Sequence, residues 1–187
     1  MIVRTKILED GTGEILAEPH LYNAKGKDVQ IDYRVLSPRQ EITACKTELG
    51  ESICHIEVPN PVLWNGLKKP SLYCLHAELK ADGRVVDSAD IPLGFRSISI
   101  DGEKGFFLNG ENIKLNGVAK HQDYDGVFNA TNEEHWNQDI HDILEIGANS
   151  VRLSHYQHPQ EMYRLCDEQG LIVWAEIPML KICLLYT

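Results

Sequence analysis

Three short stretches of this 187-residue chain gather side chains that can hold polar ligands or carry protons. His121-Gln122-Asp123 sets an imidazole beside a carboxylate. A carboxylate accepts from two hydroxyls, and an imidazole donates or accepts. By residue type alone, the simplest reading of this pair is a polar loop facing water. Arg152 points out of the apolar run Val151-Arg152-Leu153, and a guanidinium so placed needs a partner. His155-Tyr156-Gln157-His158 follows close behind it. Glu176 ends a third stretch, the apolar run Leu171–Ala175. It reads either as a hydrogen-bonding support for a site or as a structural acceptor. Five cysteines are an odd number, and none has C-x-x-C spacing. Cys45, Cys54, Cys74, Cys166 and Cys183 therefore read as free, half-buried thiols. A Cys45–Cys54 bridge across the turn at residues 47–52 is the alternative, and no His/Cys cluster has zinc-ligand spacing.

The elements that must position these groups change character midway. Residues 29–35 alternate apolar and polar side chains, the period of a half-buried strand. Residues 53–58, 71–79 and 85–89 look similar, separated by Gly50, Pro59-Asn60-Pro61 and Asp82-Gly83. Short strands with turn signals every ten or so residues predict an antiparallel sandwich. After Gly94-Phe95-Arg96 come a hairpin (97–100 and 105–108, with Asn109-Gly110 as turn dipeptide) and a strand over 113–118. Thr131-Asn132-Glu133-Glu134 reads as a capping box with Thr131 as N-cap. Trp136, Ile140, Ile143 and Leu144 then lie on one helical face, and Gly147 suits the helix end. Residues 149–153 form a strand, and Pro159 opens a second helix at its first position, with Met162, Leu165 and Cys166 as its apolar stripe. Gly170 ends it, and 171–175 suit a parallel strand covered on both faces. The order β-α-β-α-β with short loops predicts parallel strands. Seventy-five residues from 113 on are far short of the about 250 of a (β/α)8 barrel. The expectation is a piece of something longer, since the tail at 181–187 shows no stop signal.

Composition excludes several classes. Eighteen Lys+Arg against 28 Asp+Glu give a net charge of −10, without the basic face of a nucleic-acid binder. No apolar run approaches the ~20 residues of a membrane helix. Residues 1–14 lack the apolar core of a signal peptide, and any export signal would lie upstream of residue 1, so the compartment stays open.

Several motifs together resemble glycoside hydrolase family 2. They are Gly94-Phe95-Arg96, Phe107-Leu108-Asn109-Gly110, Gly117-Val118-Ala119-Lys120-His121-Gln122-Asp123, the run Gly147–His158, and the run Leu165–Pro178. The Asn60-Pro61, Leu63-Trp64, Pro70 and Leu72-Tyr73 pattern resembles the end of that family's immunoglobulin-like domain. The branch most similar is the β-galactosidases. The resemblance implies residues 1–93 as an immunoglobulin-like β-sandwich and 94–187 as the first three βα units of an incomplete (β/α)8 barrel. It implies retaining hydrolysis of a terminal β-galactoside or other β-linked oligosaccharide, with β-glucuronidase or β-mannosidase as alternatives. A non-catalytic carbohydrate-binding or interaction remnant is the alternative outside the enzymes.

Retaining chemistry needs two carboxylates about 5 Å apart, one acid and one nucleophile. The family carries both as glutamates on the fourth and seventh barrel strands, so the expectation is that neither is present here and that this chain alone is inactive. Asn132-Glu133 looks like the family's acid/base pair, but it sits in a capping sequence where acidic residues favour the helix start. The resemblance makes His121, Asp123 and His155 substrate-binding residues. It makes Arg152 the partner of the nucleophile, and Glu176 a supporting group. Tyr156 and His158 read as rim residues. Trp174, Trp136 and Trp64 read as packing, and His20, His55, His76, His135 and His141 as surface or core histidines. No cofactor is evident, although relatives with Mg²⁺ or Na⁺ leave either ion open for the intact enzyme. An incomplete barrel is also expected to expose apolar edge and to self-associate.

Overall fold

The computed structural model describes residues 1–24 and 26–177; Cys183 and the tail at 181–187 lie outside the described residues. The first half is all strand, apart from one turn of 3₁₀ helix at Gly66–Lys68. Strands β1 (Ile2–Ile7), β2 (Gly13–Glu18), β3 (Val29–Leu36), β4 (Ile42–Leu49), β5 (Cys54–Val58), β6 (Tyr73–Ala81) and β7 (Arg84–Leu93) form two antiparallel sheets. Their orders are β1-β2-β5 and β4-β3-β6-β7. Alternation decides which side chains face inward. In β3, Val29, Ile31, Tyr33 and Val35 are buried, while Gln30, Asp32 and Arg34 face out. Tyr73, Leu75 and Ala77 of β6 join them, as do Ile15 and Ala17 of β2 and Ile56 and Val58 of β5, in one core. Each large side chain so buried contributes about 1.5–3 kcal/mol.

Three details fix the sandwich. Tyr73 opens β6, and its hydroxyl accepts from the Val62 amide at 2.8 Å, the corner tie of immunoglobulin-like domains. Phe95 fills the space that Gly13 leaves, for a Cβ there would lie 2.5 Å from its ring. Trp64 is buried, and the Arg96 guanidinium lies 4.4 Å from its ring centre.

No disulfide joins Cys45 to Cys54, and both thiols are free. Residues 47–52 do not close a hairpin, because β4 and β5 belong to different sheets. Cys45 lies exposed opposite Arg34, whereas Cys54 points into the core, where burial pushes its thiol to about 11.

A small sheet follows, of β8 (Ile98–Asp101), β9 (Gly105–Leu108) and β10 (Glu111–Asn112), in order β10-β9-β8. Asn109 and Gly110 turn it with φ of 51° and 80°, the double left-handed conformation of a type I′ hairpin.

The remaining elements are β11 (Gly117–Lys120), α1 (Glu133–Glu145), β12 (Ser150–Leu153), α2 (Gln160–Gln169) and β13 (Ile172–Ala175). The strands are parallel, in order β11-β12-β13, with Ala119, Arg152 and Trp174 in register. Val151 and Leu153 face the helices, where Ile140, Ile143, Met162, Leu165, Cys166 and Leu171 complete a second core. The first strand starts four residues later than its apolar pattern suggests. Asn149 is the reason: its carboxamide accepts from the Asn116 amide and donates to the Lys114 carbonyl, so a side chain holds that segment.

Both helix starts also differ by one residue from expectation. Asn132, not Thr131, caps α1. The Asn132 side chain accepts from the His135 amide, and His135 Nδ1 accepts from the Asn132 amide. Thr131 instead accepts from the Trp136 indole at 3.0 Å. Pro159 is the N-cap of α2 rather than its first helical residue. Gly147 and Gly170 end the helices with φ of 78° and 81°.

By contacts the chain divides into two compact units. Met1–Trp64, Ser71–Ser99 and Leu108–Glu111 form one; Asn65–Pro70, Ile100–Phe107 and the described residues from Asn112 on form the other. No helix of the described residues is long and apolar enough to cross a membrane.

Candidate active site

The loops that leave β11, β12 and β13 share one edge of the parallel sheet, the carboxyl ends of its strands. That edge is where open or closed α/β sheets bind ligands, since side chains from several loops converge there. His121 follows β11, Ser154 and His155 follow β12, and Glu176 follows β13.

Glu176 is the hub. Its Oε1 accepts from Arg152 Nε at 2.5 Å, and its Oε2 lies 2.8 Å from His155 Nδ1. The Arg152 guanidinium, and then the His155 imidazole, hold the Glu176 carboxyl below the usual carboxylate range. The glutamate side chain is 19% exposed and the arginine 48%. Arg152 meets Glu176 through Nε, and its Nη2 lies 3.3 Å from His155 Nδ1. His121 stands edge-on to His155, with ring centres 5.1 Å apart.

A second layer backs these groups. Tyr156 stacks on His158 at 5.5 Å, and its hydroxyl accepts a long 3.4 Å bond from the Gln122 amide. His158 is not a rim residue: it is 4% exposed and its Nε2 lies 3.2 Å from the Ser154 carbonyl. Burial lowers its pKa, so the ring is neutral at ordinary pH and donates through Nε2. Lys120, ahead of His121, turns the other way and pairs with Asp139 of α1 at 2.6 Å.

Four of the five residues singled out by sequence thus lie together: Arg152, His155, Glu176 and, through its ring contact, His121. Asp123 is exposed, with no side-chain bond among the described residues. Asn132 and Glu133 are the cap and first turn of α1. Trp174 does not pack in the core. It shares the sheet face of Arg152, opposite the helices, and is 64% exposed, whereas its neighbour Val173 packs toward the helices. The Arg152–Glu176 pair had no signature in sequence, because the two side chains lie 24 residues apart and meet only once β12 and β13 pair in parallel. The described His/Asp/Glu group with metal-like spacing is His141, Asp142 and Glu145, exposed on α1.

Comparison with known proteins gives these positions a context. Residues 2–96 match the model described as glycosyl hydrolases family 2, and residues 98–185 match that family's TIM barrel domain. A β-glucuronidase of Bacteroides fragilis is 43% identical over 121 residues, which cover 65% of this chain and 17% of that protein. A β-galactosidase of Thermoanaerobacter pseudethanolicus is 31% identical over 91% of this chain and 24% of its own length. The crystal structure of a Parabacteroides merdae β-glucuronidase superimposes with a TM-score of 0.86 at 27% identity, over 94% of this chain and 24% of that one. The chain therefore spans about a quarter or less of the length of these relatives. The sandwich and the parallel βαβαβ run are that family's β domain and the start of its barrel, and the chain belongs to glycosyl hydrolase family 2.

Proposed function

We propose that this chain supplies one side of a retaining β-glycosidase active site. His121, Asp123 and His155 hold sugar hydroxyls there, while Arg152 and Glu176 support the reacting carboxylates. The observation that carries this reading is the Arg152–Glu176–His155 cluster at the carboxyl ends of parallel strands. A carboxylate and imidazoles at such an edge match the donors and acceptors of a sugar. Arg152 gives Glu176 only its Nε and turns Nη2 toward His155, so its Nη1 can orient a second carboxylate. In a retaining reaction that carboxylate attacks the anomeric carbon, and a second acid protonates the departing oxygen. Both glutamates come from barrel strands beyond these residues, so the 187 residues alone do not turn over.

The substrate is a terminal β-galactoside on the sequence resemblance. A β-glucuronide is the second reading, favoured by the name of the 43% identical relative. Mg²⁺ or Na⁺ in the intact enzyme would need ligands other than Glu176. The Glu176 oxygens face a guanidinium and an imidazole, which is not the oxygen cage such ions take.

The test is a screen of nitrophenyl β-galactoside, β-glucuronide and β-mannoside on the whole protein. Turnover of one is expected, with Arg152→Ala lowering kcat by about 10²-fold or more. Hydrolysis by these 187 residues alone, lost in Arg152→Ala, would overturn the division of labour.

A further inference from the structure

The geometry assigns a tautomer. We propose that Glu176 is a positioning residue that holds a His155 proton on Nδ1, so that in the neutral ring the Nε2 lone pair is the acceptor the site presents. The inference deepens the sugar-binding role of His155 and rests on it only for what Nε2 would meet.

Glu176 carries its charge, kept low by Arg152, and a carboxylate can only accept. Its Oε1 is taken by Arg152 Nε, and its Oε2 lies 2.8 Å from His155 Nδ1. A bond of that length between an acceptor and a ring nitrogen requires the proton on the nitrogen. The Arg152 Nη2, 3.3 Å from the same nitrogen, is a donor that would favour a bare Nδ1, but the carboxylate oxygen is closer, at 2.8 Å, and charged, so it decides. Arg152 and His155 are thus two donors converging on one carboxylate, each fixing the other's place. A neutral imidazole has one N–H, so Nε2 is left bare. Among the described residues nothing bonds to Nε2, while the His155 side chain is 37% exposed. His121, the nearest ring, meets His155 edge-on without a hydrogen bond.

The consequence is a matter of specificity. A bare Nε2 takes a hydrogen bond from a ligand hydroxyl and offers nothing to an ether or carbonyl oxygen. The carboxylate–imidazole pair fixes the ring's direction as well as its proton, the device that also orients catalytic histidines. An alanine at 176 frees the tautomer. A glutamine reverses it: its one oxygen goes to the charged Arg152, and the amide NH2 left facing Nδ1 can only donate.

The test is nitrogen-15 NMR of histidine-labelled protein at about pH 8, where an ordinary imidazole is neutral. His135 is the internal standard of the opposite kind: its Nδ1 accepts from the Asn132 amide, so its proton sits on Nε2. The expected result is His155 protonated at Nδ1, reversed to Nε2 in Glu176→Gln and averaged in Glu176→Ala, with His135 constant in all three. His155 protonated at Nε2 in the wild type, or untouched by Glu176→Gln or Glu176→Ala while His135 stays in place, overturns the inference. Should Glu176→Ala unfold, His135 loses its signature as well, and wild type against Glu176→Gln decides. Galactose is then added to the wild type. A shifted Nε2 resonance joins the tautomer to sugar binding. A locked tautomer blind to the sugar leaves the lock standing and removes His155 from the sugar contacts.

Discussion

The two regions bury their strands in different ways. In the sandwich, each sheet turns one face to a shared core, and the outward faces carry ladders of charge such as Asp32–Lys80 and Arg34–Glu78. In the βαβαβ run, Val151 and Leu153 pack on helices, but the opposite face holds Arg152 and Trp174. Charged groups on the sandwich surface neutralise one another within the sheet. Arg152 and Glu176 do so at the end of a sheet, beside two histidines, where unspent donors and acceptors remain. An ion pair is thus ordinary in one place and chemically poised in the other, and the difference lies in what surrounds it.

The sharpest way to break this contrast is through the cores. Phe95 and Leu153 are both fully buried, one in each. Phe95→Ala should cost about 3–5 kcal/mol and Leu153→Ala about 2–5 kcal/mol. Amide exchange followed residue by residue should show Phe95→Ala loosening β3 and β6 first. Leu153→Ala should loosen β11, β12 and β13 first. Equal loss of protection across both regions from either substitution would mean one shared cooperative core.

Acid sharpens the comparison next. Lys80, then Gln30 and Thr47, bond the Asp32 carboxyl and pull it from the ordinary 3.8 to about 2. A pKa lower in the folded state stabilises fully above the unfolded value and is lost as pH falls toward the folded one. The window is therefore about pH 4 down to about 2, and after screening by water the stake is about 1–2 kcal/mol. Asp32→Asn should flatten the acid limb of the sandwich's stability curve there. An unchanged limb would show that the bonds are not kept in solution.

Much of this was legible in the residues, and the gaps have causes. Strands β3 and β6 announce themselves because they are central, with one face wholly apolar. Strands β1 and β4 lie at sheet edges, where Arg4, Lys6, Lys46 and Thr47 blur the alternation. Strand β2 buries Gly13 and Ala17, too small to mark a pattern. Helix α1 was visible, but its cap was displaced by one residue, because Asn132 and Thr131 are both able cappers and the Trp136 indole claims the threonine. At the site, residue types and order pointed to Arg152, His155, Glu176 and His121. What sequence could not carry is the pairing itself. Register places Arg152 beside Trp174, two residues short of Glu176, and only the strand end lets the carboxylate turn back to the guanidinium.

Trp174 is the finest test of the two-faced strand. An indole in an apolar run would pack inward if both faces of the strand were covered, and its loss would then cost several kcal/mol. Here the next residue back, Val173, takes the helix side, and Trp174 stands with Arg152 at 64% exposure. Trp174→Gln should thus change the stability of this chain by less than about 0.5 kcal/mol, as surface substitutions do. Val151→Ala, one residue before Arg152 in β12 and on the opposite, helix-packed face, removes methyls from a side chain 1% exposed and should cost visibly more. Urea melts of the two variants read the difference directly. A large loss from Trp174→Gln would mean that its face is covered in solution, and Arg152 and Glu176 would then have to be treated as a buried pair.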